Sequence, residues 1–143
     1  MRTIFERRPL VLDTHVWIWL VQGDPTLAPA TRDLIRAAAN TGNLRISAIT
    51  LWEVALLASR NRIELGEQTL PWLEDAVARS GTVIEPLTPR VAAESYQLPN
   101  PFHRDLADRM IVATSRLVPA TLVTCDGPIL DYAARGHVNA IAA

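Results

Sequence analysis

Five residues, Pro9-Leu10-Val11-Leu12-Asp13, constrain the fold more than any other stretch: an apolar run stops on a carboxylate and continues as Thr14-His15-Val16-Trp17. A Leu/Val run without polar alternation fits a strand covered on both faces of a parallel sheet, because neither face meets water. Asp13 is then the first side chain able to reach solvent. In open α/β sheets, ligands bind beyond the carboxyl ends of the strands, where the connections diverge. Two uses of Asp13 fit equally well: an acid of a functional site, or the N-cap of a short helix that starts near His15.

Strand and helix patterns alternate through the rest of the chain. The sequence predicts helices over 15–21, 29–40, 48–60, 67–79, 89–97, 104–116 and 127–135, with strands over 44–47, 83–87, 121–124 and 138–141. Such alternation gives an α/β domain whose parallel sheet carries helices on both faces. Residues 1–8, with Arg2, Glu6, Arg7 and Arg8, read as a solvated lead-in, and residues 9–143 as a single domain. A core of that length needs no staples.

Composition narrows the partners. The formal net charge is -1, so attraction to a nucleic acid must come from a local patch or from metal ions rather than from the field of the whole molecule. Every one of the 14 basic residues is Arg, since the chain contains no Lys. The lone Cys125 cannot form an internal disulfide, and the polar start does not resemble a signal peptide, which together point to the cytoplasm. The longest apolar stretch, 10–21, is broken by Asp13 and His15 and falls short of the ~20 residues a bilayer demands, so no membrane span is expected.

Carboxylates stand where an ordinary core would not place them. Asp126 follows Thr-Leu-Val-Thr-Cys as Asp13 follows its own strand, and Glu53 lies beside the inward positions Leu51 and Val54 of its helix. Asp105 and Asp108, at i and i+3 near a helix start, can lean toward one volume. Each acid alone has a plain alternative, such as a cap, a turn, or for Asp108 a pair with Arg104 or Arg109. Those alternatives leave the shared strand-tip and helix-start placement unexplained. Converging carboxylates cannot all stay ionised without a positive partner, and Mg²⁺ or Mn²⁺ with oxygen ligands is the natural one. The corresponding chemistry is phosphodiester hydrolysis by metal-activated water.

The segments LVLDTHVWIW, ISAITLWEVA, PFHRDLADRMIVATS and TLVTCD, in this order, resemble the PIN-domain family and within it the VapC-type ribonuclease toxins. The resemblance runs from Pro9 to Ile141. It implies a three-layer α/β/α sandwich around a five-stranded parallel sheet. It further implies a Mg²⁺- or Mn²⁺-dependent endoribonuclease acting on single-stranded or loop RNA, a transfer or ribosomal RNA, and neutralised by a cognate VapB-type antitoxin. The family's acids fall on Asp13, Glu53, Asp108 and Asp126. Asp105 matches an additional acid of the HRD-x-x-DR subset, which leaves open whether Asp105 or Asp108 is the closer ligand. A homodimer or a toxin–antitoxin hetero-oligomer is the implied assembly. A housekeeping RNA-processing nuclease, or a catalytically silent PIN module, would share the frame; the silent module would be marked by loss of acids, and all are present.

The remaining candidates rest on residue chemistry. Arg60, Arg62, Arg104, Arg109 and Arg116 are candidate RNA contacts, because guanidinium grips phosphate bidentately. Thr14 and Thr124 can orient a carboxylate or bond their own backbone. His103 can position its loop or touch phosphate, and Cys125 reads as packing. Trp17, Trp19, Trp52 and Trp72 exceed what a small core needs, so an interface or a base-stacking role is open for one or two of them. Rival strand-tip enzymes fit poorly. A receiver domain or haloacid-dehalogenase-type phosphatase requires a Lys, and a dinucleotide-binding domain requires a glycine-rich first turn that Asp13-Thr14-His15-Val16 does not supply.

Overall fold

The computed structural model describes residues 8–143, so residues 1–7 of the expected lead-in lie outside the described residues. Five strands, β1 (Leu10–Leu12), β2 (Leu44–Ser47), β3 (Val83–Glu85), β4 (Thr121–Thr124) and β5 (Ala140–Ala142), form one sheet in the order β3-β2-β1-β4-β5. Every pairing is parallel. The helices are α1 (Thr14–Gln22), α2 (Pro29–Asn40), α3 (Ala48–Ser59), α4 (Thr69–Ser80), α5 (Pro89–Ser95), α6 (Leu106–Leu117) and α7 (Gly127–Ala134).

Side-chain alternation along β1 separates two cores. Leu10 and Leu12 pack with Trp17, Ile35, Val54 and Trp72 on the side of α1, α2, α3 and α4. Val11 packs with Ile111, Val112, Ile129 and Tyr132 on the side of α6 and α7. This is the three-layer α/β/α sandwich, with β1 fully buried at its centre as its unbroken apolar run requires. Trp17 and Trp72 are core residues that meet edge to face with centroids 5.8 Å apart, and the Trp17 indole donates to Ser80 Oγ.

Most element ends shift by one or two residues from the sequence expectation, and three of the shifts have a specific cause. The sixth helix starts at Leu106 rather than 104, because Asp105 caps it instead of joining its first turn. The third strand ends at Glu85, before Pro86, which has no N–H for the ladder. The last strand begins at Ala140, since Val138 enters the second core from a loop. On α3 the buried positions are Thr50 and Val54, with Leu51 only partly covered.

The strand order places a switch point between β1 and β4: the chain moves outward through β2 and β3 on one side and to β5 on the other. Leu12 pairs with Val123, so both strands end side by side at their carboxyl ends. A cleft at that point is where doubly wound sheets bind ligands.

Candidate active site

Asp13 and Asp126 leave the sheet at the switch point, and each also caps a helix. Asp13 accepts from the Thr14 N–H at 2.8 Å and starts α1; Asp126 accepts from the Ile129 N–H at 3.1 Å and starts α7. Asp105 does the same for α6, accepting from the Asp108 N–H at 3.0 Å. The capping reading of Asp13 holds, and it leaves the carboxylate at the carboxyl end of the sheet. Unpaired helix N–H groups favour negative charge, which lets the fold keep carboxylates at this end of the sheet.

Asp13 is 5% exposed, and both of its oxygens are engaged. Thr124 Oγ1 donates to Asp13 Oδ2 at 2.6 Å and accepts from the Asp126 N–H at 3.0 Å, linking the two strand-tip acids. Both uses open to Thr124 hold, since its hydroxyl orients the Asp13 carboxylate and bonds the local backbone. Thr14 is fully buried and shares a hydroxyl contact of 3.1 Å with Thr50. Glu53 is carried by α3, and the Thr14 hydroxyl lowers its proton affinity.

Burial and mutual repulsion raise the proton affinity of this group. Burial pushes the Asp13 carboxyl up, opposed by the bonds from Thr124 and Thr14. Burial, then the charges of Asp13 and Asp105, push Glu53 up against the Thr14 bond. Asp108 shows the strongest effect. Burial first, and then the charges of Asp13, Asp105, Asp126 and Glu53, raise it to about 8. Buried carboxyls so close to one another favour a positive partner.

His103 occupies the centre of the acids. Its Nδ1 accepts from the Asp105 N–H at 3.4 Å, so a neutral ring carries its proton on Nε2. That Nε2 is buried and stands 3.2 Å from Asp108 and 3.7 Å from Asp126, but it is not aligned for a hydrogen bond with either. The pairing considered for Asp108 with Arg104 or Arg109 is replaced by this contact. Donor atoms of His103, Asp108 and Asp126 lie within 4.8 Å of one another, a spacing suited to one divalent ion.

Arg109 corrects the expectation of an RNA contact. It is buried, donating through Nε to the Ser95 carbonyl at 2.8 Å and through Nη1 to the carbonyls of Phe102 and His103 at 3.3 and 3.0 Å. Its guanidinium lies between the rings of Tyr96 and Phe102, and the Phe102 ring is 4.5 Å from that of His103. Arg109 therefore ties the loop that bears His103 to the helix that bears Asp108. Arg116 is likewise engaged, with Glu94 and the His137 carbonyl. Arg104 is exposed beside Asp105, whereas Arg60 and Arg62 are exposed at the far end of α3, roughly 10 Å of helix rise beyond Glu53.

Cys125 is exposed rather than packed, although burial and the Asp13 charge still raise its thiol pKa and keep it protonated. Trp52 is half-exposed beside Glu53. The sequence reading missed Tyr96, which is 67% exposed at the end of α5. Its only signal was an aromatic placed just before the Leu-Pro-Asn-Pro loop that leads to His103.

The PIN domain family model matches residues 10–135, spanning both switch-point strands and all five acids. The chain belongs to the PIN-domain family. It is 37% identical over 117 residues to Ribonuclease VapC22 of Mycobacterium tuberculosis, a match covering 82% of this chain and 86% of that protein. The PIN fold recurs in VapBC2 of Rickettsia felis bound to a promoter DNA fragment (TM-score 0.67, 17% identity, 93% of this chain and 97% of that one). It recurs also in a toxin–antitoxin complex from Klebsiella pneumoniae (TM-score 0.60, 22% identity, 92% and 95%). Among the described residues of this PIN domain, no helix is long and apolar enough to cross a membrane.

Proposed function

We propose that this protein is a divalent-metal-dependent endoribonuclease toxin, held silent by a VapB-type antitoxin in the cytoplasm. The observation that carries the reading is the convergence of Asp108 and Asp126 with His103 at the switch point, their polar atoms within 4.8 Å of one another, where burial and neighbouring carboxylates also push Asp108 up. The VapC22 relative is a ribonuclease by name, and the neighbouring folds come from toxin–antitoxin complexes, which supports the same activity and partner here.

The donor set fits a hard cation. Asp13, Asp108, Asp126 and Glu53 offer carboxylate oxygens, and the unbonded Nε2 of His103 faces the same volume. Mg²⁺ and Mn²⁺ both match these oxygens, whereas Nε2, which carries the proton of the neutral ring, is a donor rather than a ligand. Bound there, such an ion supplies Lewis acidity, activating water and offsetting charge at phosphorus. The chain's own residues do the rest. The Thr124 hydroxyl and the Thr14 N–H fix the Asp13 carboxylate, Asp105 holds the start of α6, and Arg109 holds the loop of His103 beside Asp108. Arg104, exposed on the rim, is placed to take a phosphate.

The test is to incubate the purified protein with total RNA and to map the cut ends. Cleavage at defined loop positions with Mg²⁺ or Mn²⁺, lost on chelation and in Asp13→Asn, is expected. Equal cleavage by wild type and Asp13→Asn, or cleavage indifferent to chelator, overturns the reading.

A further inference from the structure

We infer that Tyr96 is the base-stacking platform of this protein: its outer ring face receives one unpaired nucleobase of an RNA strand whose phosphates run across the acid cleft. The inference rests on the ribonuclease reading and names a residue that would position the substrate.

Three observations converge on this ring. Tyr96 is 67% exposed, an exposure matched among the large hydrophobic side chains of the described residues only by Leu70 on α4. Its inner face is occupied, because the Arg109 guanidinium sits 5.1 Å from the ring centroid. That guanidinium is itself immobilised by three backbone carbonyls and backed by Phe102. Tyr96, Arg109, Phe102 and His103 thus form a continuous chain of contacts, with the exposed ring at one end and the Nε2 near Asp108 and Asp126 at the other. A ring held on one side by a fixed cation has lost little freedom that a base would still have to remove.

An RNA strand is the occupant favoured over a protein. An exposed flat ring beside a carboxylate cleft offers a π-face that every base can use. An apolar peptide anchor would instead seek a concave apolar pocket rather than one exposed ring. Of the tryptophans considered from the sequence, Trp17 and Trp72 are core residues, and Trp52, half-exposed beside Glu53, has no cation of the described residues against its ring as Tyr96 has.

The experiment uses a single-stranded oligoribonucleotide carrying one 2-aminopurine, walked along the strand position by position. Binding is read by fluorescence with Mg²⁺ present and in an Asp108→Asn background, so that bound RNA stays intact. Stacking on Tyr96 predicts strong quenching at one position. That quenching should be kept in Tyr96→Phe and Tyr96→Trp and lost in Tyr96→Ala, with affinity about tenfold weaker. Unchanged quenching in Tyr96→Ala overturns the inference, as does the absence of a quenched position in the parent. So does a loss at every position accompanied by a lowered urea midpoint, which would make Tyr96 a structural residue. Failure of the nuclease reading is seen separately, as the absence of metal-dependent cleavage by wild type whatever the quenching pattern.

Discussion

Thr124 and Asp13, separated by 111 positions in the chain, are joined by a 2.6 Å hydrogen bond at the point where the sheet's connections diverge. The bond lowers the proton affinity that burial raises in Asp13, and the same hydroxyl accepts from the backbone of Asp126. Thr124→Val keeps the shape of the strand but withdraws both. We expect RNA cleavage to fall about 10- to 100-fold, in line with the loss of an outer contact to a ligand, with Thr124→Ser largely restored. Cleavage rates at several Mg²⁺ concentrations check this; a wild-type rate in Thr124→Val would remove the bond from the site.

Asp105 and Asp108 separate by geometry. Asp105 is exposed and spends Oδ1 on capping α6, while Asp108 is half-buried and faces His103. Asp108→Asn should abolish cleavage while the fold persists. Asp105→Asn, which keeps a capping oxygen, should cost less than tenfold in rate, and Asp105→Ala should also lose about 1 kcal/mol of stability. Urea melts beside single-turnover cleavage assays distinguish the two roles.

Much of this site is legible in the sequence because an apolar strand that stops on an acid is rare and local. Asp13 and Asp126 can be placed from their own flanking residues, and Glu53 and Asp108 from helix spacing. Arg109 could not be read in the same way. Its partners are carbonyl oxygens of residues 95, 102 and 103, which carry no side-chain signature, so a buried clamp and a surface phosphate contact look identical in one dimension. Tyr96 was hidden for a related reason, since its exposure follows from where the loop closes over Arg109. The short strands shifted by a residue or two because Pro86 and the docking of Val138, rather than propensity, set their ends.

That clamp gives a prediction of its own. Arg109→Met preserves much of the stem's packing yet frees three carbonyls and the loop that carries His103. Leaving buried carbonyls unpaired costs about 1–3 kcal/mol each at most, so the variant should melt at lower urea. Arg109→Lys, with a point charge in place of the fork, should recover only part of the loss. Equal urea midpoints for wild type and Arg109→Met would show that the loop is held by other contacts.

The acid cluster should make metal-free stability depend on pH in a definite direction. A carboxyl raised to about 8 in the folded protein costs nothing below its unfolded value near 4. Above that value folding must hold a proton that the unfolded chain releases, and the cost grows until pH reaches about 8. Allowing for solvent screening at a half-buried site, Asp108→Asn should be more stable than wild type by about 1–3 kcal/mol at pH 8 without metal, the two converging near pH 4. Added Mn²⁺ should reverse the order at pH 8 by stabilising wild type alone. Denaturant titrations with chelator and with Mn²⁺ across this range provide the comparison, and a pH-independent difference would contradict the clustering.

An antitoxin can exploit the same unmet charge. A guanidinium from a segment that orders on binding could enter among Asp13, Asp108 and Asp126, supply the positive charge, and exclude a divalent ion at once. His103 already stands between Asp108 and Asp126, so the space that an inserted side chain must fill is defined. If antitoxin and metal compete for these carboxylates, each must weaken the other by the same factor, because binding free energies are linked reciprocally. Calorimetric titration of the protein with an antitoxin peptide at several Mn²⁺ concentrations and constant ionic strength should show affinity falling as Mn²⁺ rises. Replacing the peptide's arginine by Gln should flatten that dependence while leaving apolar contacts intact. Affinity indifferent to Mn²⁺ in the parent peptide would place inhibition away from the acids, on surfaces such as the exposed face of Trp52.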